Sequence, residues 1–185
     1  MCIRDRLGEP LGHSMSPALH KAIYRQLEID DASYRTVELP NERLKSFFTG
    51  FRVGGFDGVN VTIPHKASVI DLLDEVDSKA RLLNAVNCVN RTGNTLTGYN
   101  TDLLGFGYSL RQNDVDIEAN EFAIIGAGGS AQAVGAVLAE GEAKTISIVN
   151  RTPERAEQLK ETILAVNDAV TVNIVSAEDL AKRCL

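Results

Sequence analysis

A glycine-rich turn in the second half of the chain constrains the fold more than any other feature. Its residues fit the pattern G-x-G-x-x-G/A and are Gly126, Ala127, Gly128, Gly129, Ser130 and Ala131. Apolar residues 122–125 predict a strand before the turn, and residues 130–139 predict a helix after it. The first glycine permits a tight turn, the second lets backbone approach a diphosphate, and the small third residue lets helix pack on strand. Because a helix start also favours anions, the turn predicts dinucleotide binding.

Strands and helices continue to alternate after this turn. Further strands are predicted over 145–149 and 170–175, with a helix over 153–166 between them. Ser176 and Asp179 resemble a capping box that opens a third helix. This order is typical of a parallel sheet with helical crossovers, as in a Rossmann-type domain. Since the sequence stops inside the third helix, we expect only the first half of that domain.

The end of the second predicted strand indicates which dinucleotide is bound. An NAD site usually has an acidic residue there to hold the ribose 2′-hydroxyl, whereas this chain has Asn150, Arg151 and Thr152. A carboxylate would repel a 2′-phosphate, but the planar guanidinium of Arg151 can bind one. Asn150 and Thr152 add neutral donors, and Arg155 adds a second cation one turn into the helix. The pattern favours NADP over NAD; the alternative is that both arginines are a solvated helix start.

The first half of the chain also reads as α/β. Ser16 and Pro17 are expected to open a helix as N-cap and first helical residue, and Leu19, Ile23 and Leu27 give it one apolar face. Residues 1–6 are too polar and charged for a buried strand, so none is expected there. The other predicted elements are strands over 33–39 and 58–63, a hairpin over 86–90 and 95–98, and helices after 41 and over 65–73, 78–83 and 102–112.

These elements predict two domains in an otherwise ordinary globular composition. We expect a substrate-binding and catalytic domain over 1–102, a linker helix and connection over 103–118, and an NADP-binding domain over 119–185. The net charge of −6 argues against a nucleic-acid partner. No run of about 20 apolar residues and no signal-peptide pattern is present, so we expect a cytoplasmic protein with reduced cysteines. The histidines lack metal-ligand spacing, and no metal site is expected.

Polar residues of the first half predict a substrate site. Ser14 and Ser16 flank a helix start, where hydroxyls and helix N-terminus suit a carboxylate; taken alone, a turn and a cap explain them better. Asn60 and Thr62 point the same way from a short strand because side chains alternate along it. Lys66 follows at the sheet edge where open α/β sheets bind ligands.

Asn87 and Asp102 complete this set. Amides, hydroxyls, a lysine and a carboxylate together suit a polyhydroxylated acid, because its hydroxyls need several donors and acceptors at fixed angles. Hydride transfer from a secondary alcohol also needs a group that takes the hydroxyl proton, and a lysine can do so. The residues therefore predict an oxidoreductase that acts on a small polyhydroxylated acid.

Six stretches in this order resemble the shikimate and quinate dehydrogenase family. They are GEPLGHSMSP at 8–17, NVTIPHK at 60–66, NAVN at 84–87, GYNTD at 98–102, GAGGSA at 126–131 and NRT at 150–152. The resemblance implies reversible, NADP-linked reduction of 3-dehydroshikimate to shikimate, in aromatic amino acid biosynthesis. It implies a small-molecule substrate, and a full-length protein that is a monomer or a homodimer.

The resemblance also implies roles for individual residues. Lys66 corresponds to the family's acid/base residue, and Asp102 pairs with it at the reacting hydroxyl. Ser14 and Ser16 correspond to serines that hold the substrate carboxylate. The residues implied to contact the ring hydroxyls are Asn60, Thr62, Asn87 and Asp102.

The chain departs from the family pattern at both ends. Members begin with an apolar strand where this chain has the charged residues 1–6, and they continue past its last residue. We therefore expect the chain alone to be inactive or aggregation-prone. The alternatives are a quinate/shikimate dehydrogenase with broader substrate use, a non-catalytic shikimate-binding protein on the same scaffold, and another two-domain NADP enzyme such as a methylene-tetrahydrofolate dehydrogenase. The two-serine loop and the Asn-Thr-Asp turn fit the last of these poorly.

Overall fold

The chain divides into two compact units, each with its own sheet and hydrophobic core. The computed structural model describes residues 2–183, and the side chains of residues 5–182. The units are Met1–Asn100 and Thr101–Leu185. Asp102 therefore lies in the second unit, whereas Lys66 lies in the first.

The first unit is built on a mixed six-stranded sheet. Its strands are β1 (Cys2–Gly8), β2 (Ala32–Glu38), β3 (Gly58–Val61), β4 (Glu75–Val76), β5 (Cys88–Thr92) and β6 (Thr95–Tyr99), in the spatial order β2-β1-β3-β5-β6-β4. β1 pairs in parallel with β2 and β3, and β5 is antiparallel to β3 and β6. The helices of this unit are α1 (Ser16–Gln26), α2 (Leu44–Val53) and α3 (Ser78–Leu82).

Strand β1 contradicts the expectation that residues 1–6 form no buried strand. It lies between β2 and β3, and its backbone is paired on both sides. Leu7 is fully buried in the core. Asp5 is also fully buried, and its carboxylate accepts a hydrogen bond from the Arg35 N–H and forms an ion pair with the Arg35 guanidinium at 3.4 Å. The prediction was wrong because a polar side chain can be buried once it has a partner.

Helix α1 differs from its prediction in its start and in the surroundings of its apolar face. The helix begins at Ser16 with Met15 as N-cap, so Ser16 is helical and is not the cap. Leu19, Ile23 and Leu27 are 60%, 40% and 62% exposed, and no residue of α1 is buried. The apolar stripe therefore does not contribute to the core of the first unit. That core is instead formed largely by α2, the sheet strands and the turns after β3.

Two short elements of the first unit also differ from the sequence prediction. The helix predicted over 65–73 is replaced by turns and a 3-10 helix at Ile70–Leu72. The two-residue strand β4 was not predicted. The predicted hairpin is confirmed as β5 and β6, joined at Gly93, whose φ of +61° favours glycine.

The second unit has the predicted alternation of strands and helices. Its elements are α4 (Asp102–Gln112), β7 (Glu121–Ile125), α5 (Gly129–Glu140), β8 (Thr145–Val149), α6 (Pro153–Val166), β9 (Thr171–Ile174) and α7 (Ala177–Arg183). The three strands form a parallel sheet in the order β7-β8-β9. Residues Ile146, Ile148, Leu159 and Ile163 are fully buried between sheet and helices. One half of the predicted capping box is confirmed, because the Asp179 N–H donates to Ser176 Oγ at 3.0 Å. Ser176 Oγ in turn donates to Asp179 Oδ2 at 2.7 Å.

Candidate functional site

The polar residues predicted in the first unit gather where β1 and β3 end. Asn60 belongs to β3, and Thr62 follows that strand directly. The Thr62 N–H donates to the Leu7 carbonyl at 2.8 Å, which holds the turn after β3 against β1. This bond continues the β1–β3 pairing past the end of β3 and so fixes the direction of the following turn.

The hydroxyls of Ser16 and Thr62 meet at one guanidinium. Arg6 donates from Nη1 to Ser16 Oγ at 2.6 Å and from Nη2 to Thr62 Oγ1 at 3.4 Å. Ser14 lies beside them, since its Oγ accepts a hydrogen bond from the Ser16 N–H at 3.4 Å. Three predicted residues are thereby brought together, along with Arg6, which sequence reasoning missed because no strand was expected there.

Tyr34 of β2 is a second residue that sequence reasoning missed. Its hydroxyl donates to Asn60 Oδ1 at 2.9 Å, and the Asn60 amide donates in turn to the Asn87 carbonyl at 3.4 Å, so the Asn60 side chain has one orientation. The ring stacks on His20 with centroids 3.8 Å apart. Burial raises the pKa of Tyr34 to about 12, although the Arg6 charge acts in the opposite direction. The polar aromatic residue in a predicted strand was the available signal.

Lys66 and Asn87 lie on adjacent segments of the backbone. The Val86 N–H donates to the Lys66 carbonyl at 2.8 Å, and the Val61 N–H donates to the Asn87 carbonyl at 2.8 Å. Asn87 is 8% exposed. The segment that carries Lys66 is therefore held beside β3 and the residues before β5.

The histidine before Lys66 anchors that turn. The His65 ring is fully buried, and its Nε2 lies 2.6 Å from the Leu39 carbonyl oxygen. The Val69 N–H donates to the His65 carbonyl at 3.0 Å. A buried ring with this contact restricts the backbone from which Lys66 projects.

In the second unit, the glycine turn lies between β7 and α5 as predicted. Gly126 has a φ of +107°, a conformation that favours glycine. A Cβ at Gly126 or Gly128 would meet nothing within 4 Å, so the space over the turn is open. Helix α5 begins at Gly129 with Gly128 as N-cap. The first N–H groups of such a helix have no intrahelical partners and can bind an anion.

The end of β8 is linked directly to this turn. The Ala127 N–H donates to Asn150 Oδ1 at 3.1 Å, and Asn150 Nδ2 donates to the Thr152 carbonyl at 2.7 Å. Arg151 follows in a bend, and Arg155 lies in the first turn of α6; both are exposed. Two cations are therefore available at the carboxyl end of β8, as an anionic 2′-phosphate would require.

Asp102 and the first turn of α5 line the same cavity of about 340 Å³. Asp102 is the first residue of α4, and Ser130 is the second residue of α5. Both residues were predicted from separate motifs. The residues lining this cavity are Thr101, Asp102, Gly105, Phe106, Ser130, Ala133 and Val134.

A groove of about 950 Å³ lies between α1 and β2 of the first unit. Tyr34 is one of its lining residues, but none of the predicted site residues is. Across residues 2–183, no helix is both long and apolar enough to cross a membrane. The same part of the chain contains no cluster of three or more acidic, histidine or cysteine side chains that could hold a metal ion.

Comparison with known proteins identifies both units. Residues 7–89 match the shikimate dehydrogenase substrate binding domain, and residues 109–183 match shikimate / quinate 5-dehydrogenase. The chain is 40% identical to the NADP(+) shikimate dehydrogenase of Bacillus subtilis over 174 residues, which is 94% of this chain and 62% of that protein. The chain spans about three fifths of the length of such curated relatives.

Solved structures extend the match to the arrangement of the elements. Shikimate dehydrogenase from Aquifex aeolicus has a TM-score of 0.87 and 33% identity, covering 99% of this chain and 66% of that one. The Thermus thermophilus enzyme, solved with NADP(H) and shikimate, has a TM-score of 0.82 and 31% identity, covering 96% and 68%. Because sequence motifs, domain matches and element order agree along nearly the whole chain, it belongs to the shikimate dehydrogenase family.

Proposed function

We propose that this protein is an NADP-dependent shikimate dehydrogenase that reversibly reduces 3-dehydroshikimate to shikimate. The observation that carries the proposal is the cavity shared by Asp102 and Ser130. It puts a carboxylate able to accept a bond from a reacting hydroxyl beside the helix start that would receive a dinucleotide. The shikimate and NADP(H) bound by the Thermus relative support the same assignment.

The residues of the second unit fit NADP. The open space over Gly126 and Gly128 lets backbone approach a diphosphate. The N–H groups at the start of α5 would bind its oxygens, with Ser130 and Ala131 in the first turn. Arg151 and Arg155 would bind the 2′-phosphate through charge-assisted hydrogen bonds, with Thr152 beside them. When bound, NADP supplies the hydride acceptor or donor.

The residues of the first unit fit the acid. Ser14, Ser16 and Thr62 present hydroxyls near the start of α1, where a carboxylate or a ring hydroxyl would be bound. Asn60 adds an amide held in one orientation, and Asn87 adds a second amide that is largely buried. In the proposed reaction, Lys66 takes the proton of the reacting hydroxyl during oxidation and returns it during reduction. Asp102 accepts a hydrogen bond from that hydroxyl and so orients it.

The test combines turnover with binding. The full-length protein that contains this sequence is assayed for shikimate-dependent NADPH formation by absorbance, and its shikimate binding is measured by calorimetry. Lys66→Ala should lower turnover by at least about a hundredfold, the lower end of the usual range for an acid/base residue, while shikimate binding changes little. The control is Lys45→Ala, an exposed lysine of α2.

Each outcome decides a part of the proposal. Equal loss of turnover in the Lys66 and Lys45 variants would contradict the role of Lys66. Absence of shikimate binding by the unaltered chain would contradict the substrate assignment. Shikimate binding without turnover in any variant would favour the non-catalytic binding protein.

Substrate choice is tested in the same assay with quinate. A quinate dehydrogenase from Corynebacterium glutamicum, solved with NAD, has a TM-score of 0.87 at 28% identity to this chain. That quinate enzyme was solved with NAD, whereas Arg151 and Arg155 of this chain favour NADP. We therefore expect NADP-linked oxidation of shikimate to be faster than oxidation of quinate. Faster quinate oxidation with NAD would favour the quinate enzyme instead.

A further inference from the structure

We propose that Asn150 is a positioning residue that joins the diphosphate-binding turn to the 2′-phosphate-binding segment, and is not itself a ligand of the 2′-phosphate. This rests on the proposed function, because both segments are assigned to NADP there. It changes the expected role of Asn150, which sequence reasoning counted as a neutral donor to the nucleotide.

The pairing of β7 with β8 ends immediately before the glycine turn. Ile125 pairs with Val149 at the end of the strands, and the Gly126 N–H donates to the Val149 carbonyl at 2.8 Å. The next N–H, that of Ala127, finds no strand carbonyl and donates to Asn150 Oδ1 at 3.1 Å. The side-chain oxygen of Asn150 thus takes the place of a backbone acceptor for the N–H that follows the last bond of the ladder.

The nitrogen of the Asn150 amide binds the segment before α6. Asn150 Nδ2 donates to the Thr152 carbonyl at 2.7 Å, and the same carbonyl accepts the Ala156 N–H at 3.3 Å, at the start of α6. One side chain therefore fixes the glycine turn on one side and the first residue before α6 on the other. Arg151 lies between Asn150 and Thr152, so its backbone is held at both neighbours.

Most of the hydrogen-bonding capacity of the Asn150 amide is used within the protein. A primary amide has one carbonyl oxygen and two N–H groups. In Asn150 the oxygen already accepts Ala127 and one N–H already donates to Thr152. Direct recognition of a phosphate would use at most the remaining N–H, whereas loss of the side chain would release both segments.

Positioning and direct binding predict different ligand profiles. A group that positions the diphosphate turn contributes to the affinity for both NADP and NAD, because both contain the diphosphate. A ligand of the 2′-phosphate acts on NADP alone. Dissociation constants for NADP⁺ and NAD⁺ are therefore measured by NMR titration of the unaltered chain, Asn150→Ala, and Arg151→Ala as the comparison for direct binding.

We expect Asn150→Ala to weaken NAD⁺ binding by about tenfold, because the diphosphate turn loses its bond to Asn150. NADP⁺ binding should weaken by at least the same factor, because the 2′-phosphate segment is released as well. Arg151→Ala should weaken the binding of NADP⁺ and leave the binding of NAD⁺ unchanged. A loss confined to NADP⁺ in Asn150→Ala would make Asn150 a ligand and overturn the proposal.

Amide exchange tests the same bond without any nucleotide. In the ligand-free protein, Asn150→Ala should speed exchange of the Ala127 N–H by about tenfold, while the Gly126 N–H, bonded to a backbone carbonyl, stays slow. Asn150→Asp retains an acceptor oxygen and should restore slow exchange at Ala127. Unchanged Ala127 exchange in Asn150→Ala would overturn the proposal. If the unaltered chain binds neither nucleotide, the proposed function fails, and exchange at Ala127 alone decides the positioning role.

Discussion

Gly8, the last residue of β1, lies so close to the Thr62–Ile63 segment that any larger residue should disturb it. A Cβ at this position would lie 2.5 Å from Thr62 Cγ2 and 2.9 Å from the Ile63 carbonyl oxygen. Ordinary contacts between carbon atoms are about 3.5–4.0 Å. The Thr62–Ile63 segment would therefore have to move by roughly 1 Å in Gly8→Ala, and Ile63 is tied to β1 by the Glu9 N–H at 3.0 Å. The clash involves backbone, which cannot rotate away.

We expect Gly8→Ala to lower the free energy of unfolding by about 1–3 kcal/mol, the usual cost of overpacking. Urea denaturation followed by circular dichroism measures this loss. Shikimate affinity, measured by calorimetry, should fall by about tenfold because the Thr62 hydroxyl is displaced from a bond worth about 1 kcal/mol or more. The control is Gly12→Ala in the loop that follows β1, where a Cβ meets nothing within 4 Å. Equal urea midpoints and equal shikimate affinities in the two variants would refute the reasoning.

Two further predictions concern a cation and a titrating group. Arg151→Asp should weaken NADP⁺ binding by roughly ten- to a hundredfold through the loss of a charge-assisted bond, and should move the coenzyme preference toward NAD⁺. NADPH affinity is measured by fluorescence titration, and equal affinity in the unaltered and Arg151→Asp proteins would contradict this. In a tyrosinate absorbance titration, the difference between the unaltered chain and Tyr34→Phe should show an inflection at about 12 rather than at 10.0. Since burial raises this pKa, the stability contributed by neutral Tyr34 is complete below pH 10.0 and is lost as pH rises toward about 12. An inflection near the ordinary value in the folded protein would show that the Tyr34 hydroxyl is not buried as described.

The second unit was predictable from sequence because local and long-range signals agree there. Strand β8 and helix α6 have the predicted bounds, 145–149 and 153–166. Buried apolar residues define the strand, and Pro153 marks the first turn of the helix. The bond between Ala127 and Asn150 was not predictable, because it joins residues 23 positions apart through a side chain that the motif alone assigns to a ligand.

The first unit was harder to predict because partners supplied by other elements decide its structure. Asp5 is buried in β1 only because Arg35 of β2 pairs with it. The apolar stripe of α1 predicted a buried face, yet the described structure leaves Leu19 and Leu27 exposed. Periodicity reports that a helix has an apolar face, but it does not say which surface covers that face.

The link through Asn150 has a consequence for redesign of coenzyme use. Loops that select a coenzyme are often treated as exchangeable modules, so that a segment from an NAD enzyme replaces one from an NADP enzyme. Here the segment after β8 also supplies the side-chain oxygen that accepts the Ala127 N–H of the diphosphate turn. An exchange of residues 150–152 as a block would therefore change the geometry of the diphosphate turn as well as the charge at the ribose. Altering Arg151 and Arg155 while Asn150 is retained would separate charge from geometry.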